Sequence, residues 1–501
     1  MTAPVVELDC GRIRGRRRHG ILRFEGVPYA RPPVGPLRFR PPLPVAPWSG
    51  MRNAETPRPG PLQLPGPSLG SRPVGATSED CLYINVATPA LSGSRPVLVW
   101  IYGGGFVNGS AADPIHAGDR LVAVGDVVLV TFDYRLGVFG FLHDPSDPGE
   151  SNLGVRDQLA ALDWVRRHIA AFGGDPSRVT LFGESAGAMC LLTLMGTPAA
   201  DHLFHAGVVQ SGAANWIATP EAAERTHAAF AAEVGSTDRE TWRALPAARM
   251  LEAQQRIDAR IRAETGRGAF RPLLDGVLIE HDGQAAQARP INRSRPLILG
   301  SNRDEQRLFL NLRRPLEREA AVARLAHALR PHSSAPKQAA TALLEGYAGL
   351  APAWNTVECL AAAETELHYR LPLLRLAGAR DRERAPSWIY LFAWASPALR
   401  GRLGACHALE IPFVFGTLDA PGMARFAGDS RDAWRLSERM QGAWSAFAHH
   451  HDPRTAVPQW LPWTPEQPWT WKLDAAPDVI LDPFHEVEQL WQQVVPGLMA
   501  A

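Results

Sequence analysis

The stretch VTLFGESAGAMCLLTLM, residues 179–195, decides the fold of this 501-residue chain. Its first four residues are apolar or β-branched and predict a buried strand, whereas Ala186–Met195 is almost wholly apolar and predicts a helix. Between the two lies a G-x-S-x-G turn, whose flanking glycines let the serine adopt a strained backbone conformation above the edge of a sheet. The pattern therefore predicts that Ser185 is an exposed nucleophile beside a helix N-terminus, where developing negative charge is stabilised.

Strand and helix patterns alternate on both sides of this segment. Apolar residues recur every three or four positions from Val155 to Phe172, and Gly173 then ends the pattern, as in a helix. Short apolar runs bounded by glycine or charge, as in buried parallel strands, occur at residues 96–102, 126–132, 206–210, 296–300 and 388–394. This βαβ series predicts an α/β fold with a central, mostly parallel sheet flanked by helices.

Composition limits the partners and the compartment. The 52 basic and 51 acidic side chains give a net charge of +1, which disfavours binding to nucleic acid, and no apolar run approaches the ~18 residues of a membrane span. The five cysteines are scattered and odd in number, which argues against a disulfide framework and against a CxxC metal site. The N-terminus lacks the pattern of a secretory signal. We expect a cytoplasmic protein without a membrane segment.

A second glycine-rich motif follows a predicted strand. In IYGGGF, residues 101–106, three consecutive glycines allow the backbone to approach a substrate oxygen closely. Acyl transfer needs hydrogen-bond donors that are fixed before the reaction, and backbone amides fulfil that need. The amides of Gly104, Gly105 and Ala186 are therefore the candidate oxyanion hole. The alternative is an ordinary glycine-rich turn.

Together, these motifs resemble the type-B carboxylesterase family of α/β hydrolases, which includes para-nitrobenzyl esterases and cholinesterases. The resemblance spans nearly the whole chain, which we predict to be one domain, residues 1–501. It is weakest between Pro220 and Ala263 and between Leu310 and Arg384, and we expect helical lid insertions around 215–270 and 305–385. Other segments that carry it are FEGVPYARPPVGPLRFRPP from Phe24, SEDCLYINV from Ser78, DYRLGVFGF from Asp133 and NLGVRDQLAALDWV from Asn152.

The resemblance implies the two partners of the nucleophile. The family's glutamate matches Glu305 in GSNRDEQRLF, with Asp304 as its near competitor and Gln306 where the family usually has glycine. The family's histidine matches His407 in CHALEIPFVFG. Histidine suits the role of base because its ordinary pKa of about 6.5 lets it accept the serine proton and return it to the leaving alcohol. The carboxylate would hold the ring tautomer and stabilise the imidazolium.

Other matches to the family imply supporting roles. Two ion pairs are expected, between Arg38 and Glu79 and between Arg135 and Asp157. Glu184, next to the nucleophile, either tunes the field around the histidine or joins a buried hydrogen-bond network.

The resemblance also bears on the substrate pocket. The apolar lining is expected from Phe106, Trp216, Leu308 and Phe309, although each of these residues could equally belong to the core. The tryptophan with which cholinesterases bind a quaternary ammonium corresponds to Ser71. Their acyl-pocket phenylalanines fall near Gly266 and Gly268. We therefore expect a roomier acyl site without selectivity for choline.

These features predict a serine carboxylesterase that hydrolyses short- to medium-chain or aryl esters through an acyl-enzyme. It would need no metal and no organic cofactor, would act on a small-molecule ester, and would be a monomer by preference. Two alternatives stay open. The same residues could serve an amidase, a carbamate hydrolase or a lipid hydrolase, or the chain could be an inactive cholinesterase-like recognition module.

Overall fold

A computed structural model describes residues 3–65, 75–145, 147–310, 312 and 314–499. Within these ranges the strands are β1 (Val5–Leu8), β2 (Gly11–Arg14), β3 (Arg16–Arg18), β4 (Ile21–Pro28), β5 (Met51–Asn53), β6 (Gly60–Pro61), β7 (Thr77–Ser78), β8 (Tyr83–Thr88), β9 (Arg95–Ile101), β10 (Val128–Phe132), β11 (Gly174–Glu184), β12 (Ala206–Gln210), β13 (Leu297–Asn302), β14 (Ser387–Phe392), β15 (Trp469–Leu473) and β16 (Asp478–Leu481).

The largest sheet has eleven strands in the spatial order β16, β15, β14, β13, β12, β11, β9, β10, β8, β4, β3. Neighbouring strands are parallel from β15 across to β10, whereas β16 at one edge and β8, β4 and β3 at the other pair antiparallel. This arrangement confirms the predicted α/β class with a mostly parallel central sheet. Strand β11 lies between β9 and β12, so the chain that leaves its carboxyl end emerges at the middle of the sheet.

The helices are α1 (Asp119–Gly125), α2 (Gly137–Phe141), α3 (Leu153–His168), α4 (Ala186–Met195), α5 (Pro220–Val234), α6 (Arg239–Ala244), α7 (Ala247–Thr265), α8 (Pro290–Arg293), α9 (Arg318–Leu329), α10 (Pro336–Leu350), α11 (Thr356–Thr365), α12 (Leu371–Arg382), α13 (Ile411–Phe415), α14 (Met423–Phe426), α15 (Arg431–His450), α16 (His485–Val494) and α17 (Pro496–Met499). Helices α3, α4, α12 and α15 pack against the parallel strands. No helix of the described residues combines the length and the apolar character needed to cross a bilayer.

Two boundaries differ from the sequence patterns. Strand β11 begins at Gly174 rather than at residue 179, because a shift of register lets Gly174 pair with Arg95 ahead of the regular ladder. Helix α3 ends at His168, and a 3₁₀ turn carries the chain on to Phe172. Gly173 then reverses the chain at φ 75°, a left-handed conformation that favours glycine.

Both regions predicted as insertions contain helices. Helices α5, α6 and α7 occupy the first, and α9 to α12 the second, where a π-helical turn, Glu366–Arg370, joins α11 to α12. Helices α9, α10 and α11 form a second hydrophobic cluster with α16, centred on Leu325, Leu343, Leu360 and Trp491. The assignment of the whole chain to one domain stays a prediction.

Both expected ion pairs are present. The Arg135 guanidinium binds the Asp157 carboxylate through two hydrogen bonds of 2.7 Å, and both side chains are almost completely buried. Arg38 donates to both carboxylate oxygens of Glu79, one of them at 2.6 Å. Because the bidentate pair of Arg135 lies between α3 and the chain that follows β10, it fixes that chain beside the parallel strands.

We expect the substitution Asp157→Ala to lower the free energy of unfolding by about 3–5 kcal/mol, because it leaves the Arg135 guanidinium buried without its counterion. Urea denaturation followed by circular dichroism measures this change. The matched control is Asp163→Ala on the same helix, since Asp163 pairs with Arg166 and Arg167 at the surface. That loss should stay below about 1 kcal/mol. Equal losses for the two variants would contradict the assigned role of the buried pair.

Candidate active site

The turn between β11 and α4 holds Ser185 in a strained conformation. Its backbone has φ 54° and ψ −123°, outside the regions that residues other than glycine prefer, at a cost of about 1–3 kcal/mol. A Cβ atom at Gly183 would lie 2.6 Å from the carbonyl carbon of Gly187, and one at Gly187 would overlap the carbonyl oxygen of Ile101. Both glycines of the G-x-S-x-G motif are therefore required by close backbone approach. The Ser185 amide donates to the carbonyl of Gln210 on β12 at 2.9 Å.

The glycine-rich segment after β9 folds against this turn. Gly104 and Gly105 have φ values of 98° and 63°, and a side chain at Gly104 would collide with the carbonyl of Asn108. At Gly103 a Cβ atom would lie 3.0 Å from the Cβ of Ser185. Within the described ranges no acceptor takes the amide hydrogens of Gly104, Gly105 or Ala186. The structure thus leaves the three predicted donors free for a ligand oxygen.

Glu305 and His407 meet in the interior. Nδ1 of His407 lies 2.7 Å from Oε2 of Glu305, and both side chains are buried. The other carboxylate oxygen, Oε1, accepts from the hydroxyl of Ser211 at 2.6 Å and from the amide of Asn302 at 2.7 Å. Since Oε1 is held by these two donors, Oε2 is fixed toward the imidazole and selects its Nδ1–H tautomer.

Asp304, the competing acid, points elsewhere. Its Oδ2 accepts from the amide of Ala405 at 2.8 Å and lies 3.0 Å from a guanidinium nitrogen of Arg303. Of the two neighbouring acids, only Glu305 reaches the imidazole. The next residue, Gln306, donates its backbone amide to the hydroxyl of Thr365 at 3.2 Å, which ties this loop to α11.

The other ring nitrogen of His407 faces Glu184. Nε2 lies 2.9 Å from Oε1 of Glu184, an ion-pair distance, but the N–H direction does not meet hydrogen-bond geometry. Within the described residues, no hydrogen bond joins the Ser185 hydroxyl to the ring. In enzymes without bound substrate, hydrogen bonds between catalytic groups are often long and tighten only in the complex.

Charge around the ring shifts its pKa. Burial alone would lower the pKa of His407, but the carboxylates of Glu184 and Glu305 outweigh burial and raise that pKa well above its ordinary value. Burial also raises the pKa of Glu184, although the imidazolium opposes this shift. His407 and Glu184 therefore titrate as a coupled pair.

Several neighbours of the site were missed by the sequence analysis. Glu410 accepts from the side-chain amide of Asn302 at 2.7 Å, and burial raises its pKa to about 8. The sequence feature that could have identified Glu410 is its position as the one acidic residue in the apolar run after His407. Tyr369 lies on the π-helical turn with its ring centre 5.1 Å from that of His407, and no sequence signal pointed to it.

Two of the predicted lining residues share a pocket. Phe106 and Trp216 line a cavity whose residues from α4 begin with Met189, one turn into that helix. Phe309 is instead half exposed, with its ring centre 5.2 Å from that of His407, and Leu308 packs at the margin of the core. The other lining residues of the pocket are Met189, Leu192, Thr193, Ala213, Ala214, Ile217, Pro272 and Gly283.

The other predicted pocket positions are Gly266 and Gly268, which correspond to the acyl-pocket phenylalanines of cholinesterases, and Ser71, which corresponds to their choline-binding tryptophan. A side chain at Gly266, which ends α7, would meet nothing within 4 Å, whereas one at Gly268 would lie 2.9 Å from the Arg262 guanidinium. Ser71 lies outside the described residues. Within those residues, no group of three or more His, Cys, Asp and Glu side chains could hold a metal ion.

The central parallel sheet, the strained serine turn and the buried Glu305–His407 contact define an α/β hydrolase. Residues 2–491 match the model of the carboxylesterase family. The chain is 35% identical to the para-nitrobenzyl esterase of Bacillus subtilis, over 98% of each chain, and 33% identical to the phenmedipham hydrolase of Pseudarthrobacter oxydans, over 93% of this chain and 94% of that one. The solved carboxylesterase of Geobacillus stearothermophilus superposes with a TM-score of 0.85, at 35% identity over 97% of this chain and all of that one. This protein belongs to the carboxylesterase family and is a carboxylic ester hydrolase.

We expect Glu184→Gln to move the acidic limb of the pH profile of kcat/KM toward lower pH. In the role predicted for His407, that of general base, the ring must be neutral, so activity should rise as the pH passes upward through its pKa. Removing the carboxylate that raises this pKa most brings it down, and the neutral form then persists to lower pH. Initial rates between pH 5 and about pH 10, the span over which histidine and its neighbours titrate, give the profile.

The matched control is Glu438→Gln, which removes an equal charge from the exposed face of α15. Its profile should coincide with that of the wild type. An acidic limb unmoved by Glu184→Gln would contradict the assigned electrostatic role and would leave Glu184 as a structural neighbour.

Proposed function

We propose that this protein is a serine carboxylesterase in which Ser185 is the nucleophile, His407 the general base and Glu305 the residue that orients the base. The observation that carries the proposal is the 2.7 Å contact between Glu305 and Nδ1 of His407, beside a serine held in a strained turn. The buried carboxylate leaves Nε2 as the ring nitrogen available to take a proton.

In the first half of the reaction, Ser185 Oγ attacks the ester carbonyl carbon while its proton passes to Nε2 of His407. Negative charge then develops on the former carbonyl oxygen, and the free amides of Gly104, Gly105 and Ala186 are the donors that would bind it. As the tetrahedral intermediate collapses, the C–O bond to the alcohol breaks. The departing alcohol takes the proton from His407.

In the second half, water repeats this sequence on the acyl-enzyme. His407 accepts a proton from the attacking water, the same amides bind the oxyanion, and the bond to Ser185 Oγ breaks. The protonated imidazole returns the proton to the serine oxygen, and the carboxylic acid leaves. Glu305 stays ionised throughout and stabilises the imidazolium.

The pocket supports a preference for short- to medium-chain acyl groups or aryl esters. The cavity that Phe106 and Trp216 line is bounded mainly by apolar residues, among them Met189, Leu192 and Ile217. The rings of Phe106 and Trp216 favour contact with apolar groups of the substrate.

We also propose that the enzyme acts in the cytoplasm as a monomer. The five cysteines support the compartment, because each is a buried free thiol and burial raises the pKa of Cys81, Cys190 and Cys406. Such thiols react slowly and suit a reducing environment.

We expect Ser185→Ala to lower kcat for para-nitrophenyl esters by at least about 10⁴-fold, because members of a triad act as a unit. Release of nitrophenol from acetate through palmitate esters measures both this loss and the preferred chain length. Rates should fall from short to long acyl chains in the wild type. Intact-mass analysis after treatment with a fluorophosphonate should give one adduct on the wild type and none on the variant.

Retained turnover by a correctly folded Ser185→Ala variant would refute the assignment of the nucleophile. A wild-type protein that neither turns over any ester nor takes up the probe would favour the recognition-module alternative.

The acids Glu305 and Asp304 offer a second test. We expect Glu305→Gln to lower kcat by about 10³–10⁴-fold, because a neutral amide no longer fixes the tautomer or stabilises the imidazolium. Asp304→Asn is the matched control, since an amide oxygen can still accept from the Ala405 amide, and it should cost less than about tenfold. The reverse order of effects would transfer the role to Asp304.

A further inference from the structure

The π-helical turn Glu366–Arg370 is fixed to the loop that carries Glu305. Arg370, the last residue of the turn, donates to the carbonyl of Asn302 at 3.0 Å. Tyr369, the residue before it, is therefore held at a set position relative to that loop. Single π-helical turns within helices occur frequently at functional sites.

Tyr369 packs its ring against the imidazole of His407. The two ring centres lie 5.1 Å apart, with 48° between the ring planes. Phe309 makes a similar contact with the same imidazole, at 5.2 Å and 51°. Because Phe309 packs against the imidazole without a hydroxyl, the packing alone does not account for a tyrosine at position 369.

The hydroxyl of Tyr369 has no hydrogen-bond partner among the described residues, although the side chain as a whole is buried. The hydroxyl of Tyr390 is also unpaired, but it is closed to solvent, whereas that of Tyr369 is not. The Tyr369 hydroxyl therefore borders open space inside the protein. A hydroxyl that is open and unpaired can bind a substrate atom without first breaking a hydrogen bond to the protein.

The charges around this hydroxyl place it beside the imidazole and keep its proton in place. Burial raises the pKa of Tyr369, the carboxylates of Glu305 and Glu184 add to the shift, and the charge of His407 opposes it without overcoming it. Glu305 lies against Nδ1 of the imidazole and Glu184 against Nε2, so the hydroxyl is within electrostatic reach of groups on both sides of the ring. The phenol stays protonated wherever a histidine base works, and it is available as a hydrogen-bond donor.

We propose that Tyr369 is a further catalytic residue, whose hydroxyl donates a hydrogen bond to the alcohol oxygen of the ester as the alcohol leaves. That oxygen takes its proton from Nε2 of His407, so it must come within hydrogen-bond reach of the ring against which Tyr369 packs. When the C–O bond breaks, its electron pair passes to the alcohol oxygen and His407 delivers the proton. Tyr369 keeps its own proton and stabilises the negative charge that develops on the alcohol oxygen. The inference rests on the proposed function, because it concerns one step of the same acyl transfer.

The proposed role favours esters of alcohols that leave poorly. An alkyl alcohol is a very weak acid, so its oxygen needs a donor while the C–O bond breaks. The para-nitrophenolate ion is stable in water and leaves without such help. The contribution of the Tyr369 hydroxyl should therefore grow as the alcohol of the ester becomes less acidic.

The test compares butyrate esters whose alcohols differ in acidity, namely ethyl, trifluoroethyl and para-nitrophenyl butyrate. Ethanol and trifluoroethanol are similar in size, so acidity is their main difference. We expect Tyr369→Phe, which keeps the ring and removes only the hydroxyl, to lower kcat/KM for ethyl butyrate about tenfold or more, as loss of one hydrogen bond to a developing charge does. The loss should be smaller for the trifluoroethyl ester and stay within about twofold for the para-nitrophenyl ester.

The matched control is Tyr83→Phe, which removes a hydroxyl from a half-buried tyrosine of β8. The ring of Tyr83 packs against the Arg58 guanidinium, and phenylalanine keeps that contact. This control should change none of the three kcat/KM values.

Equal losses for all three esters in Tyr369→Phe would overturn the inference, since the hydroxyl would then act on a step that the acidity of the alcohol does not affect. An unchanged kcat/KM for ethyl butyrate would overturn it as well. In both cases the hydrolysis of para-nitrophenyl butyrate by the wild type, and its loss in Ser185→Ala, shows that the proposed function stands. A wild type that hydrolyses none of the three esters would refute the proposed function, and the inference with it.

Discussion

The geometry of the candidate active site depends on the close approach of two loops. One follows β9, and the other joins β11 to α4. The carbonyl of Ile101, at the end of β9, occupies the space where a side chain at Gly187 would lie, and the chain at Gly103 packs against Ser185 in the same way. The end of β9, the glycine-rich segment that follows it and the start of α4 meet there without side chains between their backbones. Because the backbones touch, the positions of the free amides and of the serine are set by the ladder that joins β9 to β11, not by mobile side chains. Preorganisation of this kind is what makes oxyanion stabilisation effective.

Below this contact, the site concentrates charge in a region closed to water. Two buried carboxylates, those of Glu184 and Glu305, flank one imidazole, and the buried carboxyl group of Glu410 lies within electrostatic reach of both. The charge of Glu305 raises the pKa of Glu184, and the protonated ring opposes this shift. In the proposed mechanism this arrangement stabilises the imidazolium that forms as Ser185 loses its proton. It also means that the resting ring holds its proton more tightly than a histidine in water.

Much of this architecture follows from the sequence. The residues of α4 and β12 coincide with their apolar runs, because both elements are buried throughout and glycine or charge bounds them. The start of β11 could not be read in the same way, since its first residues pair through an irregular register that periodicity does not encode. The adjacent acids Glu305 and Asp304 could not be told apart from the sequence, because their side chains point in different directions. Each direction is set by a partner far along the chain, Ser211 for Glu305 and Ala405 for Asp304.

Residues that approach the site from distant elements were the ones missed. Tyr369 reaches the imidazole because a π-helical turn inserts one extra residue into the helix. The spacing of apolar residues in the sequence does not predict such a turn. A single sequence predicts local geometry far better than it predicts which distant residues surround a side chain.

The second hydrophobic cluster has a consequence for the order in which the enzyme matures. Helix α16 supplies Trp491, whose indole N–H donates to the hydroxyl of Tyr347 at 2.8 Å inside the cluster of α9, α10 and α11. Helix α11 leads directly into the turn that carries Tyr369 toward His407. Helix α16 follows β15 and β16 along the chain, so it is translated after all eleven strands of the large sheet. The surroundings of the imidazole are therefore completed by a helix that follows every strand of the large sheet in the chain.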